Sequence, residues 1–61
     1  MPTNLEIRTY HRTLLFDLFK LEKEYGNNEI LDVLIARTTA AMDQEDVAYV
    51  RQIVNDLAKK K

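Results

Sequence analysis

The chain has no cysteine, no tryptophan, one glycine, one proline and one histidine among its 61 residues. Each scarcity removes a class of explanation. Without cysteine there is no disulfide framework, and with a single histidine the usual zinc ligand sets cannot be assembled. One glycine excludes the glycine-rich loops that cradle phosphates in many nucleotide-binding folds. One glycine and one proline also leave few turn signals, which favours a few long helices over a many-stranded sheet. The longest uninterrupted apolar runs, such as Val33-Leu34-Ile35-Ala36, have four residues. That is far short of the roughly 20 residues of a membrane span, and short of the apolar part of a signal peptide. An excess of either charge is missing too. Nine Lys and Arg against ten Asp and Glu give a net charge of −1, which argues against a dedicated nucleic-acid binder.

What remains is a foldable composition, 46% hydrophobic and 31% charged, unlike that of a disordered chain. The length allows one domain, residues 1–61. A chain this short buries only about 60% of the surface its unfolded form exposes, so a solitary core is marginal. Small domains compensate with disulfides, a structural metal or oligomerisation. With the first two removed, oligomerisation is the expected route. The absence of cysteine fits a reducing compartment, and a cytoplasmic location is expected.

The densest apolar stretch is Leu14-Leu15-Phe16-Asp17-Leu18-Phe19-Lys20-Leu21, inside a helix expected over about 4–25. Met1 and Pro2 form a short lead. Thr3 is the candidate N-cap, with Glu6 completing a capping box, and Gly26 is the left-handed stop. A second helix is expected over 29–42, capped by Asn27 or Asn28. Only Glu29, Asp32 and Arg37 carry charge on it, so it is expected to be central and buried. Its Thr38-Thr39-Ala40-Ala41 run would let a neighbour approach closely. A third helix is expected over 44–59, with Asp43 as N-cap and Glu45 and Asp46 at the positive end of its dipole. Met42 and Val47 would form a hydrophobic staple. The stripe is Val47, Val50, Val54 and Leu57 flanked by Ile53, and Lys59, Lys60 and Lys61 complement the negative end. The fold class is therefore all-α, a three-helix unit dimerising into a helical bundle. The boundary at Asp43 has no Gly or Pro to enforce it. A continuous helix there would give a two-helix hairpin pairing into a four-helix bundle.

Residues capable of chemistry have simpler structural readings. His11, of the residue type that changes charge near neutral pH, lies on an apolar stripe with no nucleophile or second histidine to complete a site. Tyr10, Tyr25 and Tyr49 read as interface aromatics with one wet end. The acidic group Asp43, Glu45 and Asp46 lacks the glycine and spacing of a calcium loop, and helix capping accounts for it. The Glu-x-x-His pairs of di-iron bundles are absent. No catalytic, cofactor-binding or metal-binding residue is assigned, and no cofactor is implied. A helix-turn-helix reading of the last two helices is disfavoured, because Gln44, Glu45 and Asp46 at the start of the would-be recognition helix repel phosphate.

The most informative feature is that the first helix has two apolar sides. At about 100° per residue, Ile7, Tyr10, His11, Leu14, Leu18, Leu21 and Tyr25 form one. Leu5, Arg8, Arg12, Leu15, Phe16 and Phe19 form the other, with the aromatics and guanidiniums enriched at interfaces. The third helix would cover that second side within one chain. A second copy, packed antiparallel, would cover it in a homodimer and bring Arg8 and Arg12 towards Glu22 of the partner subunit. The expected interface is thus Leu5, Arg8, Arg12, Leu15, Phe16, Phe19 and Glu22. The expected function is a small non-enzymatic protein–protein interaction module of regulator or inhibitor type, masking the surface of an unidentified protein partner, with no membrane partner. The alternative is a small dimeric nucleic-acid-associated regulator gathering Arg8, Arg12, Arg37 and the terminal lysines into one basic surface.

Overall fold

The computed structural model describes residues 3–59 as three helices: α1 (Asn4–Tyr25), α2 (Glu29–Ala40) and α3 (Gln44–Lys59). Met1, Pro2, Lys60 and Lys61, expected as a lead and as part of the basic tail, lie outside these residues. The three-helix reading holds, and the break at Asp43 excludes the long hairpin. The Thr3 hydroxyl accepts a hydrogen bond from the Glu6 backbone N–H at 3.1 Å, which fixes the start of α1. Gly26 stops it at φ 79°, donating its N–H to the Glu22 carbonyl at 2.8 Å. That conformation strains any residue with a Cβ.

Asn28 caps α2, its side-chain oxygen accepting from the N–H groups of Ile30 (2.8 Å) and Leu31 (3.4 Å). The helix ends two residues earlier than expected. The Thr38 and Thr39 hydroxyls donate back to the carbonyls of Leu34 and Ala36, a competition that loosens a helix. Ala41 and Met42 then close the end with tight bonds to Thr38 and Thr39. At Asp43 the backbone carbonyl accepts from the Val47 N–H at 3.1 Å. Among the described residues no side-chain bond from Asp43 to the first turn of α3 accompanies it, so the expected side-chain cap is not made.

The central helix is α1, not α2. Both other helices pack on α1 and scarcely meet each other. Met42, after the end of α2, shares a small cavity with Ile7 and His11 at the start of α1, so α2 runs antiparallel to α1. Leu57, late in α3, meets Lys20 and Glu24, late in α1, so α3 runs parallel. The expectation of a buried α2 fails for a geometric reason. The two apolar sides of α1 take one helix each, and nothing else in so short a chain covers the far side of α2. The molecule spreads accordingly, measuring 37 × 26 × 17 Å.

The core lies between α1 and α3. Leu15 (0% exposed), Phe19, Val50 and Val54 form it, with Phe16, Ile35, Met42 and Val47 packed around. Val50 and Val54 repeat at the spacing of one helical face, and so do Leu15 and Phe19. Met42 and Val47, the expected staple, both reach this cluster.

Candidate interaction surface

The structure divides the seven residues expected at the interface. Leu15 and Phe19 are buried in the core and covered by α3. Phe16 is half-buried and Leu5 is exposed. Glu22 is half-buried and lines a shallow depression beside Phe19 and Arg51. Arg8 and Arg12 turn to Asp46 of the same chain rather than towards a partner's Glu22. Arg8 Nε and Nη2 donate to Asp46 Oδ2 and Oδ1, each at 3.1 Å. Arg12 Nη2 and Nε donate to Oδ1 at 2.6 and 3.2 Å. The Arg8–Phe19 part of the side of α1 assigned to a second copy is thus engaged by α3 within one chain, which offers both the valines and the carboxylate, while Leu5 stays exposed.

Asp46 was expected to serve only the helix dipole. It is 4% exposed and anchors α3 to the first turns of α1. The hydrogen bonds from Arg8 and Arg12 lower its carboxyl to about 2, against the opposing effect of desolvation. The same bond raises the pKa of Arg8. A fork of guanidinium donors is suited to this carboxylate geometry. The signal was present in the spacing. Asp46 stands one turn before Val50 on the apolar stripe of α3, and a carboxylate there needs a cation. Arg8 and Arg12 stand one turn apart beside Leu15 on α1. Cation–ring contacts extend the seam, with Arg12 5.1 Å from the centre of the Tyr49 ring and Arg51 5.3 Å from that of Phe19.

The stripe shared with α2 is treated differently. Leu18 is buried, and His11 and Leu14 are half-buried. Ile7, Tyr10, Leu21 and Tyr25 remain exposed, Tyr25 at 75%. His11 lies beside the Tyr10 ring, with centroids 5.6 Å apart. On α2, Leu31 and Ile35 face α1, and the single buried side chain is the polar Thr38. Ile30 (70% exposed), Val33 and Leu34 face away. For right-handed helices with this antiparallel placement, the Ile30–Leu34 flank lies on the side of α2 turned from α3, next to the Tyr10–Leu21 edge of α1. The two edges make one outer face, with Arg37 on its α2 side and the exposed Asp17 beside Leu21 on its α1 side.

This outer face is the candidate site. A monomer tolerates scattered exposed apolar residues, whereas a contiguous set marks a contact surface. The other surface features offer less. The two depressions along the C-terminal half of the α1–α3 seam are open to solvent and lined half by Lys, Glu and Arg and half by residues such as Phe19, Val54 and Leu57. Among the described residues no three His, Cys, Asp or Glu are grouped to hold a metal ion. None of the described helices is long and apolar enough to cross a membrane. In the single chain Arg8 and Arg12 are paired with Asp46, and Arg37 stands apart from them on α2. Comparison with protein-family models, curated proteins and solved structures gives no match.

Proposed function

We propose that this protein is a small non-enzymatic interaction module of the regulator or inhibitor type. It acts in the cytoplasm by masking a partner protein's surface with the outer face of α1 and α2. One observation carries the reading. α2 holds Ile30, Leu31, Val33, Leu34 and Ile35 within twelve residues, yet it buries only Thr38. Sequestering large apolar side chains is worth about 1.5–3 kcal/mol each when complete, and the isolated chain leaves Ile30 70% exposed and Val33 and Leu34 a little under half exposed. The composition of the face supports the same reading. Tyrosines lie along its edge and an arginine within it, residue types enriched at the energetic centres of interfaces.

The test is retention and reconstitution. The native chain, immobilised, is incubated with an extract of its source cell, beside a variant carrying Tyr10→Lys and Tyr25→Lys. Both tyrosines are well exposed, so the helices should survive, as circular dichroism would verify. A retained protein is purified and titrated against both forms. The expected result is binding to the native chain at least roughly tenfold tighter than to the variant, the loss of about 1.4 kcal/mol or more. Equal binding to both, or no specific partner, overturns the reading.

A further inference from the structure

We infer that the outward flank of α2 is closed by a second copy of this chain, the two α2 helices lying antiparallel about a two-fold axis near Val33. This rests on the outer face being the working surface and divides it between two occupants. The α2 flank pairs the copies, so the apolar side chains of α2 are then covered, and in the dimer the masking role falls to the exposed Tyr10, Leu21 and Tyr25 of α1.

Charge placement selects a second copy and its orientation. The first turn of α2 carries Glu29 and Asp32, and its last turn carries Arg37. Glu29 and Arg37 each lie four residues from Val33, about 6 Å along the axis in opposite directions. Antiparallel pairing therefore sets Arg37 of each copy level with Glu29 of the partner subunit. A parallel pairing would oppose like charges. Antiparallel pairing also opposes the helix dipoles favourably. The face is self-complementary, as a two-fold contact requires. Ile30, Val33 and Leu34 supply its apolar centre, all three exposed in the single chain. Beyond them Ala41 keeps the end of the flank low enough for close approach.

The exposed area agrees in size. The chain exposes 5023 Å² for a mass of 7.2 kDa, where a compact monomer of that mass exposes about 4,100 Å². The excess of about 900 Å² is spread over the whole chain, the Tyr10–Leu21 edge included, and is of the order that each partner contributes to one stable interface, about 800 Å².

Sedimentation of the full chain from 1 to about 300 μM, with three variants, tests the pairing. The native chain is expected to reach the mass of a dimer within that range. Leu34→Glu should weaken association at least tenfold with helicity unchanged. Glu29→Arg and Arg37→Glu should each weaken self-association roughly threefold to tenfold, as expected for two exposed ion pairs. Mixed together, these two variants should associate more tightly with each other than either does with itself, because each then meets an opposite charge at both ends. A native chain that stays monomeric at 300 μM overturns the pairing, as does a mixture with no preference for the mixed dimer. Neither result touches the tyrosine-edge experiment, so failure of the pairing and failure of the masking function are separable.

Discussion

The two seams of α1 use similar amounts of chain to different ends. Against α3, α1 presents Leu15 and Phe19 to Val50 and Val54, and two arginines close on one buried carboxylate. Against α2 it presents Leu18 and half of Leu14 to Leu31, Ile35 and Thr38, and both helices keep their remaining apolar edges in solvent. The first seam is a finished core with its polar groups satisfied. The second resembles half of a core. The difference shows where a chain of this size spends its limited burial. One side of α1 makes the fold, and the helix most apolar in composition keeps Ile30, Val33 and Leu34 exposed.

The sharpest way to break this contrast is to delete the same side chain from each seam. Leu15→Ala removes a fully enclosed side chain and should cost about 2–5 kcal/mol. That is enough to leave a domain this small largely unfolded. Leu34→Ala, at concentrations too low for copies to associate, should stay within about 0.5 kcal/mol. Urea denaturation of both variants at low micromolar concentration measures the difference. Equal losses would mean that α2 is as integral to the fold as α3.

The next test separates the seams by pH. The carboxyl of Asp46 is held at about 2 in the folded chain, below its ordinary 3.8. A group depressed on folding contributes stability above its unfolded pKa and loses it as pH falls through the folded one. The α1–α3 seam should therefore weaken between about pH 4 and pH 2, read as a falling denaturation midpoint. In Asp46→Asn the midpoint should be lower throughout and flatter over that window. A native profile as flat as that of the variant would show that the arginines do not grip the carboxylate in solution.

Much of this arrangement was legible in the residues, and the rest was not for identifiable reasons. Thr3, Gly26 and Asn28 act locally, through hydrogen bonds to their own helix ends, so the boundaries of α1 and the start of α2 followed from spacing. The two apolar sides of α1 were equally plain. What covers each side depends on geometry beyond any one helix. A two-sided helix can be satisfied by its own chain or by a copy, and periodicity does not distinguish them. Asp46 would have distinguished them. A carboxylate on the Val50–Val54 stripe, with two arginines one turn apart on α1, forms a matched pair of patterns, but it shows only when both helices are considered together. The misplacement of α2 came from equating apolar composition with burial. That equation fails when too few partners exist to bury what is apolar.

Local stability gives a finer measure of the same contrast. α2 buries only Thr38 against α1, where α3 buries Asp46, Val50 and Val54, and a helix with few buried side chains opens more easily. In the single chain its amides should exchange with deuterium sooner than those of α3 around Val50 and Val54, and the Ile30–Leu34 amides should slow as concentration rises if copies pair there. Equal protection of α2 and α3 at micromolar concentration would erase the distinction between the two seams.

The smallest expected effect compares the helix starts. Asn28 accepts two backbone N–H groups at the start of α2, whereas Asp43 contributes its backbone carbonyl to the start of α3. Asn28→Ala should therefore cost about 0.5–2 kcal/mol, and Asp43→Ala should fall well below that. The two substitutions differ in kind as well as size. α3 is held in place by Asp46, Val50 and Val54 even if its first turn frays. α2 has little beyond Leu31, Ile35 and Thr38 to hold it, so loss of its cap should appear as reduced helicity before global unfolding. Circular dichroism of Asn28→Ala at low temperature should show that loss, and a raised protein concentration should restore part of it, because a second α2 would supply the support the cap no longer gives. A uniform, concentration-independent loss from both caps would place α2 and α3 on the same footing.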